Sequence, residues 1–326
     1  MEQGESVKYF GSEDIHQSLD YLSLVEALRL GFAKEYVVPS RMHISYDDLH
    51  SENKNTLLLM PAINQGADAG IKIVNVAPAN SQKGISTIQG IYYLMDAITG
   101  SPKALMEAKT LTNWRTAAAS ALAASFLAPK HSQSLLMVGT GSLAPYLIDA
   151  HAAIRPIKEL MIYGRTPEKA QALAAQKSSK FEKVEVVNDL KEAVGKVDVI
   201  SVATLSSNPL IEGNWLRPCQ HIDLVGSYRP DMRESDDQVL KRSKIFVDNL
   251  ESAPKETGDL VIPIESGSIS LGDIEGDLFQ LCSGEVQGRQ KEDDITVFKS
   301  VGHALEDLVA AQLIFSQRNN HSNPFK

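Results

Sequence analysis

Cysteine is almost absent: the 326 residues include only Cys219 and Cys282, far apart and outside any CxxC spacing. This excludes a disulfide framework and a zinc knuckle; no metal site is expected, and a reducing cytoplasm is the expected compartment. Basic residues are outnumbered, 32 Lys and Arg against 41 Asp and Glu, for a net charge of −9. With no long Lys/Arg cluster to neutralise phosphates, nucleic acid is not an expected partner. Long apolar runs are missing too, since nothing approaches the roughly 18 residues of a membrane span. The N-terminal MEQGESVKYF lacks the basic-then-apolar order of a signal peptide, so neither export nor a membrane partner is expected. Repeats and low-complexity segments are also lacking. What is present is ordinary apolar material for about two domains, at roughly 100 to 200 residues each.

The first third mixes helix and strand. In SLDYLSLVEALRLGFAKEY the apolar Leu22, Val25, Leu28 and Phe32 recur at helical spacing and predict one amphipathic helix. NTLLLMPAI, GIKIVNVAP and IQGIYYLMDAITGSPKALMEA are short apolar or alternating runs broken by Gly, Pro and Asn; they predict an antiparallel or mixed sheet, with ITGSP as a hairpin turn. TLTNWRTAAASALAASFLA predicts a helix linking two domains, with Thr112 as its N-cap. From about residue 134 the pattern changes to LLMVG, ELMIYG, VEVV, VDVISVAT, HIDLVG and KIFVD, with helices such as APYLIDAHAAI and PEKAQALAAQ between several of them. Short apolar strands alternating with helices predict an α/β domain, a doubly wound, Rossmann-type parallel sheet. DITVFKSVGHALEDLVAAQLIF reads as a strand and then a long helix that packs back on the first domain. The polar tail QRNNHSNPFK is expected to fray.

LLMVGTGSLAPYLIDA carries Gly139, Gly141 and Ala144 as GxGxxA, with Ser142 and Leu143 between them, directly after a strand and before a helix. Gly139 permits the tight turn, Gly141 lets the backbone approach a pyrophosphate, and Ala144 allows close packing of helix on strand, while the helix start faces the anion. The context makes dinucleotide binding the favoured reading over a purely structural turn. The next strand ends in Gly164, Arg165 and Thr166, where an Asp or Glu would bind the ribose hydroxyl of NAD. A guanidinium there suits a 2′-phosphate and favours NADPH, with NADH still open; the plainer alternative is an arginine capping a loop. Thr204 and Ser206 follow a further strand and either flank the dinucleotide or serve as ordinary turn hydroxyls.

Three basic residues of the first third stand outside obvious charge runs: Arg41 in VVPSRMHI, Lys72 in GIKIVNV and Arg115 in TNWRTAAA. Singly, each reads as a surface charge. Beside a domain that binds a nicotinamide cofactor, together they suit a small carboxylate, held by a guanidinium fork and an ammonium.

These segments carry a resemblance. PSRMHI, GIKIVNVAP, TNWRTAAASALAA, VGTGSLA, YGRT, VGSYRPDMRE and TVFKSVGHALEDLVAA make the chain similar, over nearly its whole length, to the ornithine cyclodeaminase and mu-crystallin family. That resemblance implies a homodimer. It implies a substrate-binding and dimerisation domain of α+β type built from both chain ends, residues 1–120 with 300–326, and a Rossmann domain over 121–299. It places Arg41, Lys72 and Arg115 on the substrate carboxylate, makes Lys72 the proton donor, lets Arg115 also approach the cofactor, and sets Thr87 near the active site. Val225, Gly226 and Ser227 fall on the loop beside the nicotinamide, and Gly302 on a helix start that closes the cleft. His303 departs from the more usual apolar residue after that glycine and is read as packing.

Activities in the family include ornithine cyclodeamination, alanine dehydrogenation, reduction of cyclic ketimines, and thyroid-hormone binding with NADPH. Cyclodeaminase members carry a catalytic Asp in a pattern like GGDxPGKTE. In VGSYRPDMRE that position is Tyr228, and a phenol with an unperturbed pKa of about 10 does not replace a carboxylate at neutral pH; Asp231 lies three residues on and faces elsewhere. Cyclodeamination is therefore disfavoured. The expected reaction is reduction of a cyclic imine 2-carboxylate, Δ1-pyrroline-2-carboxylate or Δ1-piperideine-2-carboxylate, to proline or pipecolate. An alanine-dehydrogenase-like enzyme and a crystallin-like, non-catalytic binder stay open as alternatives.

Overall fold

A computed structural model describes residues 7–51, 54–319 and 325. The first six residues of MEQGESVKYF, and the expected fraying from Asn320 on apart from Phe325, lie outside the described residues. The chain divides into two compact units, residues 1–116 with 303–326 and residues 117–302.

The first unit opens with β1 (Lys8–Phe10), α1 (Ser12–Ser18) and α2 (Tyr21–Phe32). The helix predicted in SLDYLSLVEALRLGFAKEY is α2; α1 precedes it and was not expected. Asp20 starts α2 by turning its carboxylate back onto the Ser23 amide, 2.9 Å away, as N-cap. Leu22 is not on the inner stripe: it is 63% exposed, and Tyr21, Leu24, Val25, Leu28 and Phe32 face inward. Then come β2 (Met42–Asp47), β3 (Lys54–Ile63), β4 (Asp68–Val76), β5 (Ile88–Asp96) and β6 (Pro102–Glu107). They form the mixed sheet β1-β6-β5-β4-β3-β2, antiparallel except for β1 against β6. Helix α3 (Ala108–Leu127) starts four residues before the expected Thr112. The Glu107 carboxylate takes the Lys109 and Thr110 amides at 2.9 and 2.7 Å, satisfying donors that a helix start otherwise leaves unpaired. Thr112 is thereby inside the helix.

The C-terminal helix (Ala304–Arg318) lies against α2, β3, β4 and β5. Its apolar side chains, among them Leu305, Leu308, Val309, Leu313 and Ile314, are buried on nearly every face, as expected of a helix inside a core. Glu306 and Asp307, in its first turn, are fully buried as well. Two acids in that position call for cations.

The second unit is a parallel sheet of eight strands: β7 (Ser134–Val138), β8 (Glu159–Tyr163), β9 (Lys183–Val186), β10 (Val199–Val202), β11 (His221–Leu224), β12 (Lys244–Val247), β13 (Ile274–Asp277) and β14 (Thr296–Lys299). The order β13-β12-β14-β11-β10-β7-β8-β9 is doubly wound, as the alternating pattern predicted. Helices α4 (Ala144–Ile154), α5 (Pro167–Lys177) and α6 (Leu190–Val194) connect the first four strands. The central strands are buried along their length, with Leu136, Val138, Ile200, Val202, Ile222, Leu224 and Val297 in one core, the composition that a sheet covered on both faces requires. The chain passes from β9 at one edge to β10 beside β7, so the topological switch lies between β7 and β10. Crevices at such switch points, outside the carboxyl ends of the strands, are where ligands bind in open α/β sheets.

Candidate active site

In the first unit, strand register places Lys72 opposite Met60 on one neighbour and Tyr92 on the other, with Met106 opposite Tyr92. All four are buried, Lys72 at 3% exposure. A lysine in the middle of an apolar strand therefore points inward, and the first turn of the C-terminal helix meets it. The Lys72 ammonium lies 2.8 and 3.0 Å from the two Asp307 carboxylate oxygens and 3.4 Å from the Thr112 hydroxyl. Arg115, from α3, reaches the same pair of acids: its Nε donates to Asp307 at 3.0 Å and its Nη1 to Glu306 at 2.6 Å. Burial and then the neighbouring Arg115 charge bring the Lys72 pKa down to about 8, against the pull of Asp307. The ammonium is held charged near neutrality yet close to release.

Arg41 precedes the edge strand β2 and is half-buried. Its positive charge is felt at both Lys72 and His303, lowering each pKa. The first unit thus brings Arg41, Lys72 and Arg115 within one electrostatic neighbourhood. Thr87 stands apart from it, half-buried before β5, with its carbonyl accepting the Ala77 amide at 2.8 Å. His303 caps the C-terminal helix: its Nδ1 accepts the Leu305 amide at 3.4 Å, its own amide donates to Glu306 at 3.1 Å, and its ring tilts against Phe32 at 6.4 Å. Burial, with Arg41 nearby, lowers its pKa to about 4, so it is neutral at physiological pH. These contacts give it capping and packing roles.

In the second unit the glycine loop leaves β7 and enters α4. Gly139 has φ +114°, and a side chain there would strike the Ala203 carbonyl; only glycine allows this approach. Gly141 faces open space and, like Ser142, is exposed. Helix α4 begins at Leu143 and Ala144 with no side-chain cap, and among the described residues the amides of Gly141, Ser142 and Leu143 donate no hydrogen bond. An exposed row of unpaired amides at a helix start fits a pyrophosphate. Gly164, after β8, is covered by Thr140 of the glycine loop, whose Cγ2 would lie 2.6 Å from an added Cβ. Arg165 beside it is exposed, and Thr166 starts α5.

The loops after β10 and β11 are tied differently. Thr204 gives both amide and hydroxyl to the buried Glu234, and the amides of Gly226 and Ser227 go to the same carboxylate. Val225 is buried, and Ser206 bonds within its own turn. The Gly302 amide donates to Asp248, with Val301 beside it. Tyr228 is 43% exposed, and Asp231 makes a two-pronged pair with Arg229, both bonds at 2.9 Å, on the exposed part of the loop. Neither offers a buried carboxylate.

Residues 12–322 match the Ornithine cyclodeaminase/mu-crystallin family along almost the entire chain. The chain belongs to the ornithine cyclodeaminase/mu-crystallin family. One relative in the family, the Δ1-pyrroline-2-carboxylate reductase of Colwellia psychrerythraea, is 36% identical over 313 residues, 94% of this chain and 98% of that one. The structure of Thermococcus litoralis Δ1-pyrroline-2-carboxylate reductase in complex with NADH and L-proline superposes with a TM-score of 0.90 at 31% identity, covering 96% of this chain and 98% of that one. An archaeal alanine dehydrogenase dimer with bound NAD gives a TM-score of 0.89 at 26% identity, covering 96% of each chain.

The motifs of the ornithine cyclodeaminase/mu-crystallin family drew attention to the cations and missed their partners. Glu306 and Asp307 were visible as adjacent acids opening an otherwise apolar helix, ALEDLVAA. Those were the available signals, since an ionisable group on a buried face needs a partner.

Proposed function

We propose that the chain reduces cyclic ketimine 2-carboxylates, Δ1-pyrroline-2-carboxylate or its six-membered homologue, to the cyclic amino acids, with NADPH preferred over NADH. It is an NAD(P)H-dependent oxidoreductase of its family, like the reductases it resembles in sequence and in structure. One observation carries the reading. Lys72 is a buried ammonium with a pKa near its working range, set in a group of three cations and two carboxylates: Arg41, Lys72 and Arg115 with Glu306 and Asp307. Basic side chains around a buried, hydrogen-bonded lysine suit a substrate with a single carboxylate and a neutral ring nitrogen.

Arg115, its guanidinium plane fixed by Glu306 and Asp307, holds the carboxylate together with Arg41. Lys72 supplies the proton that ends on the ring nitrogen as the C=N bond becomes CH–NH. When bound, the reduced nicotinamide supplies the hydride that ends on C2. Gly139, Gly141, Ser142, Leu143 and Ala144 take its pyrophosphate, and Arg165 the 2′-phosphate, with Gly164 and Thr166 beside it. Thr204, Val225, Gly226, Ser227 and Gly302 line its nicotinamide end, and Thr87 flanks the substrate. The loop of Tyr228 and Asp231 supports reduction of a closed ring over cyclodeamination: a phenol stands at the position of the deaminase carboxylate, Asp231 is exposed and paired with Arg229, and both oxygens of the buried Glu234 are taken by the loop amides and Thr204.

The same unit suits a homodimer. Met42, Ile44 and Tyr46 alternate along the edge strand β2 and are exposed, a surface that soluble chains usually cover, and an archaeal relative of the same fold is a dimer. The deciding assay follows oxidation of NADPH and of NADH with pyrroline-2-carboxylate, piperideine-2-carboxylate, and pyruvate plus ammonia. Oxidation with the cyclic imines is expected. Turnover with pyruvate and ammonia alone would replace this reading with an alanine dehydrogenase, and no turnover at all would leave a binding protein.

A further inference from the structure

We propose that Glu234 is a positioning residue for the dinucleotide: its buried carboxylate fixes the loops leaving β10 and β11 and, through Thr204, the glycine loop. This rests on the reading that the crevice at the β7/β10 switch takes a dinucleotide.

The allocation of bonds is specific. One oxygen, Oε1, accepts the Thr204 amide at 2.7 Å and the Thr204 hydroxyl at 2.8 Å. The other, Oε2, accepts the Gly226 amide at 2.7 Å and the Ser227 amide at 3.1 Å. All four donors therefore come from residues just past the carboxyl ends of two adjacent parallel strands. A carboxylate acting only as filler would share its bonds with the core around it. This one spends both oxygens on the rim of the crevice.

The rim itself is packed residue on residue. A Cβ on Gly226 would fall on the Thr204 backbone, so the two loops touch at a point only glycine can occupy. A Cβ on Gly139 would meet the Ala203 carbonyl and lie 3.3 Å from the Thr204 methyl. Thr204 thus stands between the glycine that starts the pyrophosphate loop and the glycine after β11, and Glu234 holds Thr204 from behind.

Glu234 is in turn held. Asp259 accepts the amides of Glu234 and Ser235 at 2.8 and 3.1 Å. Lys299, at the end of β14, lies 3.2 Å from Asp259 and 3.8 Å from Glu234. All three side chains are fully buried. One ammonium faces two carboxylates; burial, with Asp259 nearby, raises the Glu234 pKa, while Lys299 and the hydrogen bonds from Thr204 favour its charged form.

Glu234→Gln keeps the shape and removes one acceptor. Whichever loop faces the new amide group meets donor with donor and is released. Two readouts test this: the Kd for NADPH, titrated by its fluorescence without substrate, and amide hydrogen exchange of residues 204–206 and 226–228 in the chain without cofactor. We expect the E234Q Kd to rise at least tenfold, exchange in one of the two loops to accelerate at least tenfold, and the KM for the imine to stay within twofold. If E234Q bound NADPH as tightly as the unaltered chain, the positioning role would be overturned and the dinucleotide reading kept. If the unaltered chain bound no dinucleotide, both would be overturned. Should E234Q fail to fold, Thr204→Val and Thr204→Ser decide: a Kd raised about threefold by Val and restored by Ser supports the clamp, since the hydroxyl donates to Glu234, and equal affinity of the two overturns it.

Discussion

Lys72 and Asp307 are 235 residues apart in sequence and joined in the structure by two contacts of 2.8 and 3.0 Å, both side chains buried. The carboxylate opposes the burial and the Arg115 charge that depress the lysine. Asp307→Asn keeps the shape and removes this opposition. Proton affinity of Lys72 should fall, moving the alkaline limb of kcat/KM for imine reduction at least one pH unit toward neutrality and lowering the rate at pH 7.5 by about threefold or more. An unchanged pH profile in this variant would count against Asp307 as the group that keeps Lys72 charged.

Lys72 itself makes stability depend on pH in a defined window. Its pKa is about 8 in the folded chain and 10.5 in its ordinary state. Below pH 8 it is protonated in both states, and the folded chain bears the full penalty of a buried ammonium. Between 8 and 10.5 the unfolded chain binds the extra proton, so stability rises with pH, by about 3 kcal/mol at most from this group. Denaturant unfolding of the unaltered chain and of Lys72→Met across pH 7–10.5 should show this upward contribution lost in the variant. The same variant should lose about a hundredfold or more in kcat for imine reduction.

The sequence made both layers of the fold legible where the period was clean. The parallel strands from LLMVG to KIFVD each became a strand, and all but the alternating edge strand VEVV carry near-continuous apolar runs because both faces are covered. Strand β13, IEGD, was not legible, for it is an edge strand with a single apolar side chain, Ile274. The start of α3 at Ala108 was not legible, because the Glu107 carboxylate that caps it overrides the apolar spacing that follows. At the site the cations were legible from motif and oddity, Lys72 above all. Their acids were not, because Glu306 and Asp307 also look like the usual acidic first turn of a helix, and only packing shows that this turn is inside.

Gly70 makes room for Tyr92. Any Cβ at Gly70 would overlap the Tyr92 hydroxyl and ring, although the backbone there is ordinary extended strand. Tyr92 lies directly opposite Lys72 and is fully buried. Gly70→Ala should therefore destabilise the chain by about 1–3 kcal/mol through overpacking and lower kcat/KM by shifting the neighbour of Lys72. Combining it with Tyr92→Leu should cost less than the sum of the two single changes in a thermal-unfolding cycle. Strict additivity would mean that the two positions do not meet.

On the proposed reading, coenzyme choice comes down to the end of β8. The position where a carboxylate would bind a ribose hydroxyl is Gly164, and Thr140 packs so closely over it that a side chain there would have to displace the threonine. Arg165, next to it and exposed, is the charge available to a 2′-phosphate. Hydrogen bonds to a charged group contribute about 1.5–3 kcal/mol, so Arg165→Ser should weaken NADPH binding by roughly tenfold to a hundredfold. NADH, lacking the phosphate, should bind within twofold of its original affinity. Because the pair is exposed, its contribution should also shrink with salt: raising ionic strength from about 0.01 to 0.15 M shortens the screening length from roughly 30 to 8 Å. Titrating both coenzymes into both chains at two salt concentrations checks the assignment. Equal losses for NADPH and NADH would make Arg165 a loop-capping residue and leave coenzyme preference to another part of the loop.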